Sequence, residues 1–201
     1  MNNTGRKRKT MIIGSVMLVL LAGLVFAGCR TMRSSYETAP YHVVRTDGKF
    51  ELRDYPALTV VQTPMAPLGS GADGSFMRLF RFISGGNAAQ KKIAMTTPVF
   101  MSGNGSNSTM AFVLPAKMSL VEVPQPADDK VRARELPAGR FAVLRFSGGR
   151  KARNEAAALA RLRDWLGQEK LSSDGLPIYG YFDPPWTPGF FRRNEVMLPV
   201  E

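Results

Sequence analysis

Catalysis needs a nucleophile, a base or a metal ligand, and this chain carries few of them. It holds one histidine, His42, and one cysteine, Cys29. A Ser–His–acid triad would have to use His42. That residue lies in "PYHVV", an alternating segment in which it reads as an exposed strand residue. Zinc wants clustered histidines and cysteines, and none are clustered here. The stretch "GSGADG" (69 to 74) spells G-x-G-x-x-G ahead of a helix. A dinucleotide turn also requires a strand immediately before it and an acid about 20 residues on. Here "TPMAPL" intervenes, and no Asp or Glu occurs between Asp73 and Glu122, so the stretch reads as a flexible loop. The inventory points away from an enzyme.

The stronger signal is apolar and basic together. From Gly74 to Val121 there is no acid, while Arg78, Arg81, Lys91, Lys92 and Lys117 are present. Near the C-terminus, "DPPWTPGFFRRNE" sets Trp186, Phe190 and Phe191 beside Arg192 and Arg193. Flat apolar walls rimmed by cations suit a planar, hydrophobic dianion. The same composition also describes core aromatics under a solvated basic face.

The elements that must position these residues begin after a leader. Arg6, Lys7, Arg8 and Lys9 precede an apolar run of 16 residues, Met11 to Phe26. That is short for a spanning helix and matches the apolar core of a signal peptide. Ala27 and Gly28 then precede Cys29, as in a bacterial lipobox. The expectation is a signal peptide over 1–28, lipidation at Cys29, and a polar tether over 29–40. A lipidated Cys29 also removes any Cys–His pair. Arg30 behind the cysteine favours sorting to the periplasmic face of the outer membrane. Without the four leader bases the chain has 23 Lys and Arg against 16 Asp and Glu, a net charge of +7. Such mild basicity in the cell envelope suits anionic lipid or a small anion, and nucleic acid is set aside as a partner.

Residues 41–201 form one domain of two similar halves. "KFELRDY" and "ALTVVQT" read as strands. In "DGSFMRLFRFISGG", Phe76, Leu79, Phe80 and Ile83 fall at i, i+3, i+4 and i+7. This predicts a helix capped by Asp73 or Ser75 and stopped by Gly85-Gly86. "KIAMTTPVFM" and "TMAFVLP" follow as strands. The second half repeats the order with "VRARELP", "RFAVLRFS", a longer helix, "PIYGYF" and "NEVMLPV". Leu159, Leu162, Trp165 and Leu166 define the apolar face of that helix. Strand–strand–helix–strand–strand, twice, predicts an α+β fold built by duplication. Its antiparallel strands would close into a distorted barrel flanked by two helices. Pro98 in the middle of a strand-like run reads as a bulge or edge position, and Met95 as a core residue.

"KIAMTTPV", "LRFSG" and "YFDPPWTPGFFRRNEVMLPV" resemble the SOUL family of heme-binding proteins, from about Tyr36 to Val200. The resemblance implies non-covalent binding of heme or another tetrapyrrole against the first helix. The matching positions there are Phe76, Phe80 and Arg81; in the C-terminal loop they are Trp186 and Arg192. Some members carry a histidine, proposed as an iron ligand, in the stretch that reads "FELRDYP" here. This chain has Asp54 there, leaving His42, a few residues upstream, as the candidate axial ligand. The function so implied is a membrane-anchored heme buffer or carrier. The alternative is a non-enzymatic effector-binding or scaffold module for a different hydrophobic anion.

Overall fold

The computed structural model describes residues 36–66, 73–103 and 105–201, with Met17 alone ahead of them. The leader, Cys29, the tether before Tyr36 and most of "GSGADG" lie outside the described residues. Within Tyr36–Glu201, a compact unit, the strands are β1 (Glu37–Thr38), β2 (His42–Asp47), β3 (Phe50–Tyr55), β4 (Leu58–Pro64), β5 (Thr96–Thr97), β6 (Val99–Ser102), β7 (Thr109–Val113), β8 (Arg132–Leu136), β9 (Gly139–Phe146), β10 (Ile178–Tyr181) and β11 (Asn194–Pro199). The α-helices are α1 (Ser75–Ile83) and α2 (Ala152–Gln168). The fold is α+β: a curled, half-barrel antiparallel sheet with two helices.

Nine strands run in the order β2-β3-β9-β11-β10-β6-β7-β4-β8. The duplication is written into this order. Reading outward from the β10–β6 pair, β11 answers to β7, β9 to β4 and β3 to β8. Each half has also given its first strand to the other. β3 pairs with β9 of the second half, and β8 pairs with β4 of the first. The shared letters "ELRDYPA" and "RARELPA" therefore mark the two exchanged strands.

Alternation along each strand separates two faces. On one face Val61, Met110 and Phe112 pack against Leu79, Phe82 and Ile83 of α1. Ala142, Leu144, Val196 and Leu198 on the same face pack against Leu162, Trp165 and Leu166 of α2. The expected α2 stripe is thus the observed one, with Leu159 half-buried at its margin. The opposite face holds Tyr55, Val60, Phe100, Val113, Val143 and Met197, and these too are buried. Among the described residues no helical side chain joins this cluster, so the sheet curls over its own apolar side. Burying each such side chain contributes about 1.5–3 kcal/mol, and this favours curling over a flat sheet.

Charge occupies one end of that concave face. Arg53 of β3 is fully buried. Its guanidinium donates to both carboxylate oxygens of Glu195 on β11, at 2.7 and 3.0 Å, and to Glu51 at 2.6 Å. It also donates to the Tyr55 hydroxyl at 3.0 Å and lies 4.1 Å from the Tyr41 ring centroid. Arg193 adds a 2.6 Å bond to Glu195, and Arg145 of β9 reaches Glu51 at 2.8 Å. A buried charge is tolerated when it is paired and its donors are used. Burial pushes the Tyr55 hydroxyl up to about 12.

Pro98 is neither at a bulge nor on a sheet edge. It stands between β5 and β6, just before a strand that is central to the sheet, with a cis Thr97–Pro98 bond. A proline at the mouth of a strand removes no ladder bond from the strand itself. β5 turns aside to pair with β1, and the Thr97 carbonyl accepts the Ala39 amide at 2.8 Å. Met95 is half-buried against the α1 core.

Burial pushes the Glu195 carboxyl up, but the bonds and charge of Arg53, then Arg193, hold it below the usual carboxylate range. Its contribution is therefore present above the unfolded-chain pKa and is lost as pH falls through the lower folded value. Glu195→Gln is expected to destabilise the fold by about 3–5 kcal/mol near neutral pH, because Arg53 is left buried without its partner. Urea unfolding near neutral pH and at about pH 3 checks this: the gap between wild type and variant should narrow in acid.

Candidate functional site

The nine residues of α1 include six large apolar side chains: Phe76, Met77, Leu79, Phe80, Phe82 and Ile83. One helix face cannot bury them all. Spacing placed Phe76, Leu79, Phe80 and Ile83 on one apolar stripe. The structure instead buries Ser75, Leu79, Phe82 and Ile83. The helix is turned so that Phe82 enters the core, and Phe76 and Phe80 move to the solvent side. The cause is visible on the far flank, where Arg78 is tied to β4. Its guanidinium donates to the Thr63 hydroxyl at 3.0 Å and the Pro64 carbonyl at 2.7 Å. A third bond, 3.0 Å to the Asp73 carbonyl, closes the helix start. The N-cap is Gly74, with no side-chain cap; Asp73 accepts the Ser75 amide at 2.9 Å. The helix ends as expected, at Gly85 (φ +109) and Gly86, where a β-carbon would stand 2.8 Å from the Arg81 carbonyl oxygen.

The result is a helix whose solvent side is apolar. Phe76, Met77 and Phe80 are 41%, 47% and 41% exposed. The Phe76 and Phe80 rings stack with centroids 6.1 Å apart, and Phe76 meets Phe112 of β7 edge-on at 5.2 Å. Phe112 lies across from Val99, and Val99 across from Tyr181, so this flank looks along the sheet toward β6 and β10. The opposite flank opens into a groove of about 710 Å³, lined by Met77, Arg78, Arg81, Asp128, Lys130 and Val131 among others. Arg81 is exposed and forms no ion pair among the described residues. Phe76, Phe80 and Arg81 are thus neighbours on one surface, with Met77 at the crest between two flanks.

The other candidates are placed elsewhere. His42 lies on the edge strand β2, opposite Asp54. Asp54 is gripped by Arg140 at 2.7 and 2.9 Å, and those hydrogen bonds hold its carboxyl below the usual range. Five strands separate β2 from β7 in the sheet order. Arg192 turns into its own loop, donating to the Thr187 carbonyl at 2.7 Å and to that of Pro185. Trp186 is 74% exposed. Met77 and the 126–131 segment carried no sequence signal, and Arg78 was legible only as one of several cations, because their roles arise from how α1 is rotated and what folds beside it. The buried cluster did leave a trace: Glu51, Arg53 and Tyr55 alternate on one face of "FELRDY".

Residues 36–199 match the SOUL heme-binding protein family. The chain belongs to that family. It is 27% identical to Heme-binding protein 1 of Xenopus tropicalis over 157 residues, which cover 73% of this chain and 81% of the relative. The Xenopus laevis counterpart is 26% identical over the same shares. Among solved structures, the EcmrR C-terminal domain superposes with a TM-score of 0.56 at 15% identity, covering 80% of this chain and 98% of that one. A protein described as a hydrolase from Listeria innocua gives 0.57 at 11% identity, with 79% and 94% covered. At such identities these two likenesses concern the fold alone.

If Phe80 is held at the surface for a partner and not for the core, its removal should cost the fold little. Phe80→Ala is expected to change stability by no more than about 1 kcal/mol. Phe82→Ala, at a site that is 1% exposed, should cost about 3–5 kcal/mol. Denaturant midpoints of the two variants measured side by side check the contrast.

Proposed function

We propose that this chain binds heme or a related tetrapyrrole non-covalently on the solvent side of α1, and serves as a buffer or carrier in the cell envelope. The observation that carries the reading is the apolar outer face of α1, with Arg81 beside it. A surface helix ordinarily turns polar residues outward, and an exposed cluster of this kind marks a binding surface. Family membership supplies the ligand class. Phe76, Phe80 and Met77 would lie against the macrocycle, and Arg81 would pair with a propionate. Bound heme would bring its iron, and the residues named here would hold the ring without ligating that iron.

Energetics do not require an iron ligand. Covering about 300 Å² of porphyrin face at roughly 25 cal/mol per Å² contributes on the order of 7 kcal/mol. A micromolar complex needs about 8 kcal/mol. Association entropy lowers the first figure and a propionate–Arg pair raises it. The position of His42 on a distant edge strand supports a site without an imidazole ligand. The leader and Cys29 are the basis for placing the protein at a membrane, with lipidated Cys29 as its anchor.

Absorbance titration of the full chain in detergent tests the reading. Hemin and metal-free protoporphyrin should both bind, with similar affinity. Phe80→Ala should weaken both by about tenfold, as expected for losing a buried aromatic contact. Arg81→Ala should weaken both, and more so at low salt. His42→Ala should leave the Soret position unchanged. Equal affinity in wild type, Phe80→Ala and Arg81→Ala would refute the site.

A further inference from the structure

The loop between β10 and β11 holds two of the most exposed aromatic side chains among the described residues. Trp186 and Phe190 are each 74% exposed. The loop is nevertheless built to hold them still. Arg192 clamps the Thr187 and Pro185 carbonyls from inside. At its base, Arg193 lies 4.0 Å over the Phe182 ring and bonds Glu195, while its amide donates to Asp183 at 2.6 Å. The turn at Gly189–Phe191 sits on a second loop: the Gly148 amide donates to the Gly189 carbonyl at 2.9 Å, and Asn194 donates to the Gly148 carbonyl at 2.9 Å. That second loop carries Arg150 and Lys151, and the first turn of α2 behind it carries Arg153, all exposed. The neighbouring acids face inward, Glu155 accepting the Tyr181 hydroxyl and Asp183 the Arg193 amide. Two exposed aromatic side chains and three exposed cations therefore lie on adjoining segments of the surface.

We propose that this surface docks on an anionic lipid bilayer. Trp186 and Phe190 enter the headgroup layer, and Arg150, Lys151 and Arg153 pair with lipid phosphates. Tryptophan favours the membrane–water interface, where its ring is half in apolar surroundings and its N–H stays wet. Basic residues near an anionic leaflet each add attraction. Two protruding tips suit a soft, extended plane, which both can enter at once. A loop already held by Arg192 and Arg193 loses little freedom on docking. Charge complementarity selects lipid, and the leader gives the chain access to it, with Arg6 to Lys9 ahead of 16 apolar residues. The inference takes from the proposed function only the membrane location; tetrapyrrole binding at α1 is not needed for it.

The chain has two tryptophans, and Trp165 is 4% exposed with its N–H on Asp47 at 2.8 Å. Trp186 is thus the residue that external quenchers report. The full chain is reconstituted into vesicles of phosphatidylcholine, with and without phosphatidylglycerol. With the anionic lipid, emission should shift to the blue, brominated acyl chains should quench it, and aqueous iodide should lose access. Trp186→Phe should abolish these changes. Arg150→Gln, Lys151→Gln and Arg153→Gln should each weaken them, on the order of fivefold per cation, and the thermal midpoint should hold because the positions are exposed. Iodide access that is equal in both vesicle types would overturn the proposal. So would shielding of Trp186 by hemin but not by anionic vesicles, which would make the loop a tetrapyrrole wall. Hemin affinity of Phe80→Ala is read separately, so failure at one surface does not mimic failure at the other.

Discussion

The bidentate contact between Arg53 and Glu195 ties together parts of the chain that lie 142 residues apart. Arg53 belongs to β3, the strand that the first half lends to the second, and Glu195 to β11 of that second half. A fully buried guanidinium must use its donors or destabilise the fold. Here Glu195, Glu51 and Tyr55 take them, so β3 is held in one register against β9 and β11. A slip of one residue would turn Arg53 toward α2 and Leu52 toward the charged cluster. The same carboxylate anchors Arg193, so the C-terminal loop takes its direction from the ion pair that fixes the strand exchange.

The second constraint is one of excess. α1 has more apolar side chains than its buried face can accept, and the sheet must leave some of them outside. Which ones is decided by Arg78, whose bonds to Thr63 and Pro64 draw one flank toward β4, and by Phe82, which fills the space over Val61 and Phe112. The outward phenylalanines are then a consequence of packing elsewhere. They keep their stacked geometry through contact with each other and with Phe112. A binding face made this way is preorganised without being part of the core.

Much of the architecture was legible in the chain. The order of strand and helix patterns repeats, and the repeat is the fold: two similar units with a helix each, and shared letters at the two exchanged strands. The α2 face was readable because a helix of 17 residues shows its period over several turns. The nine-residue α1 shows only about two and a half turns, and with six apolar residues several stripes fit the same spacing. The core rotation was therefore missed by a step around the helix, and Pro98 was misread because its strand is central and the chain simply breaks before it.

Composition and local pattern by themselves determined the class, the two-fold repeat, the glycine stop of α1, and the scarcity of catalytic groups. Those features depend on neighbours in sequence. Tertiary structure alone decided which phenylalanines reach solvent, that His42 stands on a remote edge strand, that Arg192 closes its own loop, and that Arg53 is buried against Glu195. Each of these depends on which strands lie side by side. In a sheet whose halves exchange strands, that adjacency is set by long-range burial and charge pairing, which no local window contains.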